Sequence, residues 1–244
     1  MKADIEKVQA AYDIAVDKWD STEARRFQWY YTFSKMMTDY RLLMAVPLTD
    51  KSVLNVGFAE PMDELIFAER CKQWTAIDLH KETVEKAQNW LTNKLADSVL
   101  ERMDFIQCDA TAMLFDDETF DVVFSFSVID HIPSHQAREK AIAEMARVCK
   151  TGGHVIITVP NRWNIPYALW SKKQQKDNSA FFGYEYQFSP LELKKLMKKY
   201  HLCEKQFASN FMFTPLAWLP SWLQWIDAPF KYLGYRCGYL SEKI

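Results

Sequence analysis

Two aspartates and a glycine stand where short apolar runs of the sequence end. Gly57 closes the run "SVLNVG", Asp78 closes "WTAID" 21 positions later, and Asp109 closes "MDFIQCD". An acidic side chain about 20 residues after the first glycine turn is where a ribose diol is held in nucleotide-binding α/β proteins. A carboxylate can accept both hydroxyl protons of a diol, and each such charged hydrogen bond contributes about 1.5–3 kcal/mol. The spacing therefore predicts that Asp78 binds the ribose of a nucleotide-like ligand.

His131 is the candidate for proton transfer. It follows the fourth apolar run, "FDVVFSFSV", and its unperturbed pKa of about 6.5 suits deprotonation of an acceptor near neutral pH. Asp130 precedes it directly, and since neighbouring side chains often point apart, the two are not expected to form a pair. A structural or cofactor-facing loop histidine is the alternative interpretation.

The elements that must position these residues form an alternating pattern. Short apolar runs, the last being "HVIITVP", are separated by helical patterns such as "KETVEKAQNWLTNKL" and "SHQAREKAIAEMARVCK". Gly152 and Gly153 are expected to end the second of these helices. Further strands are predicted at "CEKQFAS" and "RCGYLSEKI", with a helix capped by Ser189 before them. The alternation predicts a mostly parallel, doubly wound sheet whose strand ends meet at one edge.

Five blocks in this order resemble the class I S-adenosylmethionine-dependent methyltransferases. They are "VLNVGFAEP", "WTAIDLH", "FIQCDAT", "FDVVFSFSVIDHIP" and "ARVCKTGGHVIITVPN", and they extend from about Lys51 to Asn161. "SVIDHIP" and "FSPLELKKLM" are most similar to the broad group that includes ubiquinone-biosynthesis O-methyltransferases and many small-molecule methyltransferases.

The resemblance implies an α/β Rossmann-like fold with a doubly wound, seven-stranded, mostly parallel sheet. We expect a single domain over residues 1–244, with a helical lid at 1–48, a cofactor-binding core at 51–161, and acceptor-side elements and last strands at 162–244. The implied cofactor is S-adenosyl-L-methionine, with S-adenosyl-L-homocysteine as product, and no metal is expected.

The cofactor-binding residues that the resemblance implies follow the first four strands. They are Gly57, Phe58, Ala59, Glu60, Asp78, Leu79, His80, Asp109, Ala110, Phe126 and Ser127. The loop after the first strand would wrap the methionine part, and Asp78 would hold the ribose hydroxyls. The third loop would recognise the adenine amine, and the fourth would form the floor beside the sulfonium.

The first loop departs from family patterns. "GFAEPM" lacks both later glycines of a GxGxxG fingerprint, which argues against a dehydrogenase. Asn55 stands where the family usually has an acid, Ala59 adds a methyl near the ligand, and Pro61 lacks a backbone N–H. These departures leave open a non-catalytic, methyltransferase-like binding or scaffold subunit.

Aromatic residues outside the core blocks suggest a small apolar or aromatic acceptor, methylated at oxygen, with nitrogen or carbon as the alternatives. The pocket candidates are Trp19, Trp29, Tyr30, Tyr31, Asn161, Trp163, Phe181, Phe182, Tyr184 and Tyr186. The stretch "AWLPSWLQWIDAPFKYLGY" is interpreted as a lid, a homodimer surface or a weak membrane-surface contact through which a lipid-linked acceptor is reached.

Composition narrows the class of protein further. The formal net charge of −2 lacks the basic footprint of a nucleic-acid binder. The 5 cysteines are scattered and form no CxxC pair, as expected of reduced thiols. Since the first residues lack an apolar signal core, and no apolar run reaches about 18 residues, we expect a cytoplasmic protein.

Overall fold

The computed structural model describes residues 36–58, 61–180, 183–210 and 232–244. Most of the predicted lid at 1–48 and most of the tryptophan-rich stretch lie outside these ranges. The strands are β1 (Ser52–Val56), β2 (Gln73–Asp78), β3 (Met103–Gln107), β4 (Phe120–Phe126), β5 (Cys149–Pro160), β6 (Leu202–Asn210) and β7 (Arg236–Lys243).

These strands form one 7-stranded sheet in the order β3-β2-β1-β4-β5-β7-β6. The pairs β2–β3, β1–β2, β1–β4 and β4–β5 are parallel, whereas β7 runs antiparallel to both β5 and β6. The expected mostly parallel sheet is confirmed. The direction of winding reverses between β1 and β4, which is where open α/β sheets leave a crevice at the carboxyl ends of the strands.

Helices connect the strands. They are α1 (Arg41–Leu43, preceded by a π-helical turn at Met36–Tyr40), α2 (Met62–Phe67), α3 (Lys81–Thr92), α4 (Asp97–Leu100), α5 (His135–Val148), α6 (Ile165–Lys176) and α7 (Pro190–Lys199). The predicted capping box of α7 is present, with Ser189 and Glu192 bonding each other's backbone N–H groups. None of the helices in the described ranges is long and apolar enough to cross a membrane.

The expectation that Gly152 and Gly153 end α5 is wrong. The helix ends at Val148, and β5 begins at Cys149, because Cys149 already pairs with Phe120 of β4. The register shifts just beyond this pair. A Cβ on Gly153 would lie 2.8 Å from three neighbouring atoms, so this glycine permits close packing inside the strand.

Both faces of the sheet are buried, which explains why its central strands are apolar along their whole length. Val53 and Phe124 pack in one core cluster, whereas the adjacent Leu54 and Val123 pack in another. All four side chains are fully buried. Successive strand residues point to opposite faces of the sheet, so alternate side chains pack against the helices on each face.

A buried ion pair fastens the segment before β1 to the sheet. Arg236, at the start of β7, lies 2.7 Å from a carboxylate oxygen of Asp39 and also donates to Thr158 Oγ1 at 3.1 Å. Leu42 and Leu43 are fully buried beside this segment. The described end of the predicted lid is therefore part of the core.

Candidate functional site

The turn after β1 requires glycine at position 57. Gly57 has a φ of +78°, and its N–H donates to the Ile77 carbonyl at 2.7 Å. A Cβ at this position would lie 2.5 Å from Val128 Cγ1, in the loop after β4. The backbone turn and the packing against β4 each exclude a side chain, so the first and fourth loops meet without space between them.

Asp78 connects the first two loops. Its carboxylate accepts hydrogen bonds from the His80 N–H at 2.9 Å and from the Phe58 N–H at 3.3 Å. Only 9% of the residue is exposed. Burial raises the pKa of Asp78, while the amide of His80 is the strongest opposing influence. A carboxylate has about four acceptor positions, so two remain for a pair of vicinal hydroxyls.

The third loop lies against the second. The Cys108 N–H donates to the Asp78 carbonyl at 2.9 Å, and Gln107 Nε2 donates to the Leu79 carbonyl at 3.1 Å. Leu79 is 42% exposed, and Asp109 is exposed with one oxygen bonded to the Thr111 N–H. An apolar side chain and a carboxylate thus follow the carboxyl ends of β2 and β3, which are neighbours in the sheet.

The loop after β4 is the fourth loop at the carboxyl edge of the sheet. Phe126 is buried and packs on Phe124, with ring centroids 4.6 Å apart. Ser127 has a φ of +53°, which is uncommon for a residue with a side chain, and its N–H donates to the Thr158 carbonyl. Strained backbone of this kind is concentrated at functional sites. The positive φ of Ser127 could not be predicted from the sequence, because serine has no particular preference for this conformation.

Part of the first loop is not described. Ala59 and Glu60 lie outside the described residues, so the predictions made for them stay predictions. Pro61 directly precedes α2, with a φ of −78°. Its missing N–H has no cost at this position because the first N–H groups of a helix have no intrahelical partner.

Asn55 is the hydrogen-bond partner of a buried carboxylate, Glu64, which the sequence did not single out. Its side-chain amide donates to Glu64 Oε1 at 2.6 Å, and Trp74 Nε1 donates to the same oxygen at 3.3 Å. Asn55 and Glu64 are both fully buried. An acid at position 55 would place two carboxylates in contact, and one of them would have to be protonated. The amide is therefore the residue that fits beside Glu64, and its presence does not indicate a degenerate loop.

Asp130 and His131 do form a pair, and the expectation that they point apart is wrong. The 3₁₀ turn Ile129–His131 brings His131 Nε2 to 3.4 Å from Asp130 Oδ2. His131 Nδ1 lies 2.8 Å from the Tyr184 carbonyl. Since a carbonyl only accepts, the hydrogen-bond network assigns the proton to Nδ1. Nε2 is then the nitrogen that can accept a proton.

Burial dominates the electrostatics of this pair. It raises the pKa of Asp130 to about 6; His131 and Arg236 oppose the shift, and Glu185 adds to it. Asp130 is fully buried, and neither of its carboxylate oxygens receives a hydrogen bond from the described part of the chain. Its backbone carbonyl accepts from the Tyr186 N–H at 2.7 Å.

We expect Asp130→Asn to stabilise the protein increasingly as the pH rises from 4 to 7. In this range the folded state binds a proton on Asp130 that the unfolded state, with a pKa of about 3.9, has released. Stability from this group is therefore present below about pH 4 and is lost as the pH rises through about 6. The loss amounts to about 2–3 kcal/mol, and urea unfolding at both pH values measures it.

Glu144→Gln is the control of opposite sign. Hydrogen bonding from Arg147 lowers the pKa of Glu144, so its stabilisation is present at neutral pH and is lost in acid. The Gln variant should lose more stability at pH 7 than at pH 3. A constant difference between Asp130→Asn and the native protein across the pH range would contradict the assignment for Asp130.

The acceptor-pocket candidates have mixed outcomes. Trp19, Trp29, Tyr30, Tyr31, Phe181 and Phe182 lie outside the described residues. Asn161 is fully buried and donates to the Tyr232 and Gly234 carbonyls, both at 2.7 Å. Its amide thus holds the chain that enters β7. Trp163, Tyr184 and Tyr186 are half-buried near the ends of β4 and β5.

A family model described as a methyltransferase domain matches residues 54–157. Among curated proteins, the chain is 30% identical to a phosphatidylethanolamine N-methyltransferase of Cereibacter sphaeroides over 52% of this chain and 60% of that protein. It is 33% identical to a demethylmenaquinone methyltransferase of Bacteroides fragilis over 33% of this chain and 37% of that one. The chain thus spans less than two thirds of the length of these relatives.

Two solved structures share the fold over nearly the whole chain. NodS, an N-methyltransferase of Bradyrhizobium japonicum in complex with S-adenosyl-L-homocysteine, superposes with a TM-score of 0.61 at 12% identity over 97% of this chain and 98% of that one. A putative methyltransferase of Haloferax volcanii, in complex with the Trm112 activator, gives 0.64 at 16% identity over 93% and 96%.

The order of the strands and the matched family model agree with each other. The resemblance inferred from the five sequence blocks is confirmed, and with it S-adenosylmethionine as the cofactor of the family. Residues 54–157 match the model of a methyltransferase domain, and the chain is similar in sequence and fold to the class I, S-adenosylmethionine-dependent methyltransferases.

Proposed function

We propose that this protein transfers a methyl group from S-adenosylmethionine to a small apolar or aromatic acceptor, most simply at an oxygen. The observation that carries the proposal is the carboxylate of Asp78. It is held by the amides of two loops and keeps two acceptor positions for a ribose diol. Nitrogen is the second candidate atom because one relative is named as an N-methyltransferase.

The four loops fit the parts of the cofactor. The backbone of Gly57 and Phe58 would lie along the methionine part, Asp78 would bind the ribose hydroxyls, and Asp109 would accept from the adenine amine. Phe126 and Ser127 would form the floor beside the sulfur. When bound, S-adenosylmethionine supplies a methyl group already activated by the positive charge of its sulfonium. The protein then has to align the acceptor, exclude water and accept a proton.

The contacts of His131 support it as the group that would accept that proton. The Tyr184 carbonyl fixes its tautomer, and the neighbouring Asp130 carboxylate would stabilise the imidazolium that forms. The arrangement resembles other sites in which a third group orients a histidine base. Asp130 and His131 would therefore act together, with Asp130 as the positioning residue.

The aromatic groups beside this pair support an apolar or aromatic acceptor. The Tyr186 ring lies 3.8 Å below the Arg138 guanidinium, and Tyr167 packs against Tyr235 with centroids 4.2 Å apart. Tyr167 is buried whereas Tyr186 is half-buried, so Tyr186 is the ring that an acceptor would contact. Rings fixed in this way can stack on a flat acceptor with little further loss of conformational entropy.

Asp78→Ala should weaken binding of S-adenosylmethionine at least tenfold, or by about 1.4 kcal/mol. The variant removes the ribose acceptors and the bridge between the first two loops. Equilibrium dialysis with radiolabelled S-adenosylmethionine measures the affinity. Asp104→Asn is the matched control, since the exposed side chain of this β3 residue bonds only Gln73 in the described structure. Unchanged affinity in Asp78→Ala would remove the basis of the proposed site.

The non-catalytic alternative makes a different prediction. A scaffold subunit would bind the cofactor weakly or not at all, and would release no S-adenosylhomocysteine with any acceptor from a metabolite extract. Turnover with any acceptor excludes it. The fit of Asn55 beside Glu64 and of Pro61 before α2 already accounts for two of the departures that suggested it.

A further inference from the structure

We propose that the outer face of α6 docks this protein on an anionic lipid surface. The first two turns of this helix present Ile165, Leu169 and Trp170, which are 61%, 64% and 50% exposed. Large apolar side chains grouped on one surface mark interaction sites more often than scattered ones do. The buried residues of the same helix are Tyr167, Ala168 and Ser171, so the apolar outer face is separate from the face that packs on the protein.

The charge of α6 identifies the kind of partner. Lys172, Lys173 and Lys176 are exposed in its second half, and the helix contains no Asp or Glu. None of these lysines forms an ion pair with another described residue. Relative to Leu169, Lys172 and Lys173 follow at i+3 and i+4, so they extend the same outer face. On such a face the apolar side chains can enter the headgroup region while the neighbouring lysines meet the negative charge of the lipid.

Tryptophan at this position fits a lipid surface better than a protein core. Trp170 is half exposed, and its ring lies against Tyr167, with centroids 5.5 Å apart. Trp and Tyr rings are favoured at the level of the lipid headgroups. The ring is thus held at the boundary between the buried and the exposed faces of α6.

A second copy of this chain is a poorer occupant of the same face. The common dimer is isologous, so each copy would present this surface to the other. The α6 helix of the second copy would then offer these lysines no acidic residue to pair with. An anionic lipid surface supplies the opposite charge along the whole face.

The location of α6 gives the docking a use. The helix begins shortly after β5 ends, at the edge where the cofactor loops lie. Its cap Asn164 accepts from the Tyr167 N–H and donates to the Leu233 carbonyl. Leu233 is itself 40% exposed. The chain therefore re-enters the described structure from the tryptophan-rich stretch directly beside this face, and an acceptor held in the lipid would reach the same edge.

Vesicle binding tests the proposal without any assay of methyl transfer. The native protein should co-sediment with vesicles of phosphatidylcholine and phosphatidylglycerol, less with phosphatidylcholine alone, and less at high salt. Each lysine near an anionic surface contributes about fivefold in affinity, so Lys172→Gln with Lys173→Gln should weaken binding about 25-fold. Ile165→Ser with Leu169→Ser should weaken binding to a similar degree. All of these side chains are exposed, so the fold should persist, and thermal unfolding verifies it.

Matched variants on α7 serve as controls. Lys195→Gln with Lys198→Gln removes two exposed lysines, and Leu191→Ser removes an apolar side chain that is 58% exposed. Both should bind vesicles as the native protein does. The proposal is overturned if the native protein does not bind, or if the α6 and α7 variants are equally affected. It is also overturned if the Ile165 and Leu169 changes abolish self-association in sedimentation velocity without altering vesicle binding.

Discussion

Gly57→Ala is expected to destabilise the protein by about 2–5 kcal/mol and to weaken S-adenosylhomocysteine binding about 30-fold or more. A left-handed backbone costs a residue with a Cβ about 1–2 kcal/mol. Overlap with Val128 at 2.5 Å adds about 1–3 kcal/mol. In the variant we expect the turn to move away from Val128, which relieves part of this strain. Binding then has to bring the turn back to its native position, and this costs about 2 kcal/mol of binding free energy.

A second glycine with a positive φ serves as a control, because it separates the backbone cost of the substitution from the contact with Val128. Gly152 has a φ of +76°, and a Cβ there would contact nothing within 4 Å. Gly152→Ala should therefore show only the backbone cost, with affinity unchanged. Adding Val128→Ala to Gly57→Ala should restore part of both stability and affinity, since the two side chains are in contact. Native affinity in Gly57→Ala would contradict the role assigned to this turn.

His131→Ala is expected to lower turnover by about 10²–10⁴ while leaving S-adenosylhomocysteine affinity nearly unchanged. The histidine lies in the 3₁₀ turn after β4, and its Nε2 is the nitrogen that can accept a proton. Formation of S-adenosylhomocysteine with an acceptor found by screening aromatic alcohols measures turnover. His135→Ala, at the exposed start of α5, is the matched control and should behave as the native enzyme does.

The pH dependence separates a base from a structural brace. If His131 removes a proton, raising the pH toward the pKa of the acceptor should restore part of the turnover of His131→Ala. If it only holds the Tyr184 segment, the loss should persist at every pH and should appear in KM as well as in kcat. Equal turnover in the variant and the native enzyme would mean that alignment alone suffices.

The strand-end residues could be predicted because their signal is local. Each of Gly57, Asp78 and Asp109 directly follows an apolar run, and parallel pairing then brings the ends of neighbouring strands to one edge. Such local signals do not specify the order of the strands in the sheet. The antiparallel placement of β7 between β5 and β6 depends on contacts far apart in the chain.

The features that were missed depend on tertiary contacts. Val128 lies against Gly57, and Glu64 accepts from Asn55, although nothing in either sequence neighbourhood indicates the partner. The pairing of Asp130 with His131 arises from a 3₁₀ turn, in which adjacent side chains need not diverge. Local rules describe which residues a strand end presents, whereas the packing of one loop on another decides how those residues are held.

Titration calorimetry of the native protein with S-adenosylhomocysteine tests the central claim most directly. The structure predicts saturable binding at a single class of sites, accompanied by a rise in unfolding temperature. Binding should be weakened at least tenfold by Asp78→Ala and left intact by Asp104→Asn. Absence of both binding heat and thermal stabilisation in the native protein would contradict the assignment of this edge as a cofactor site.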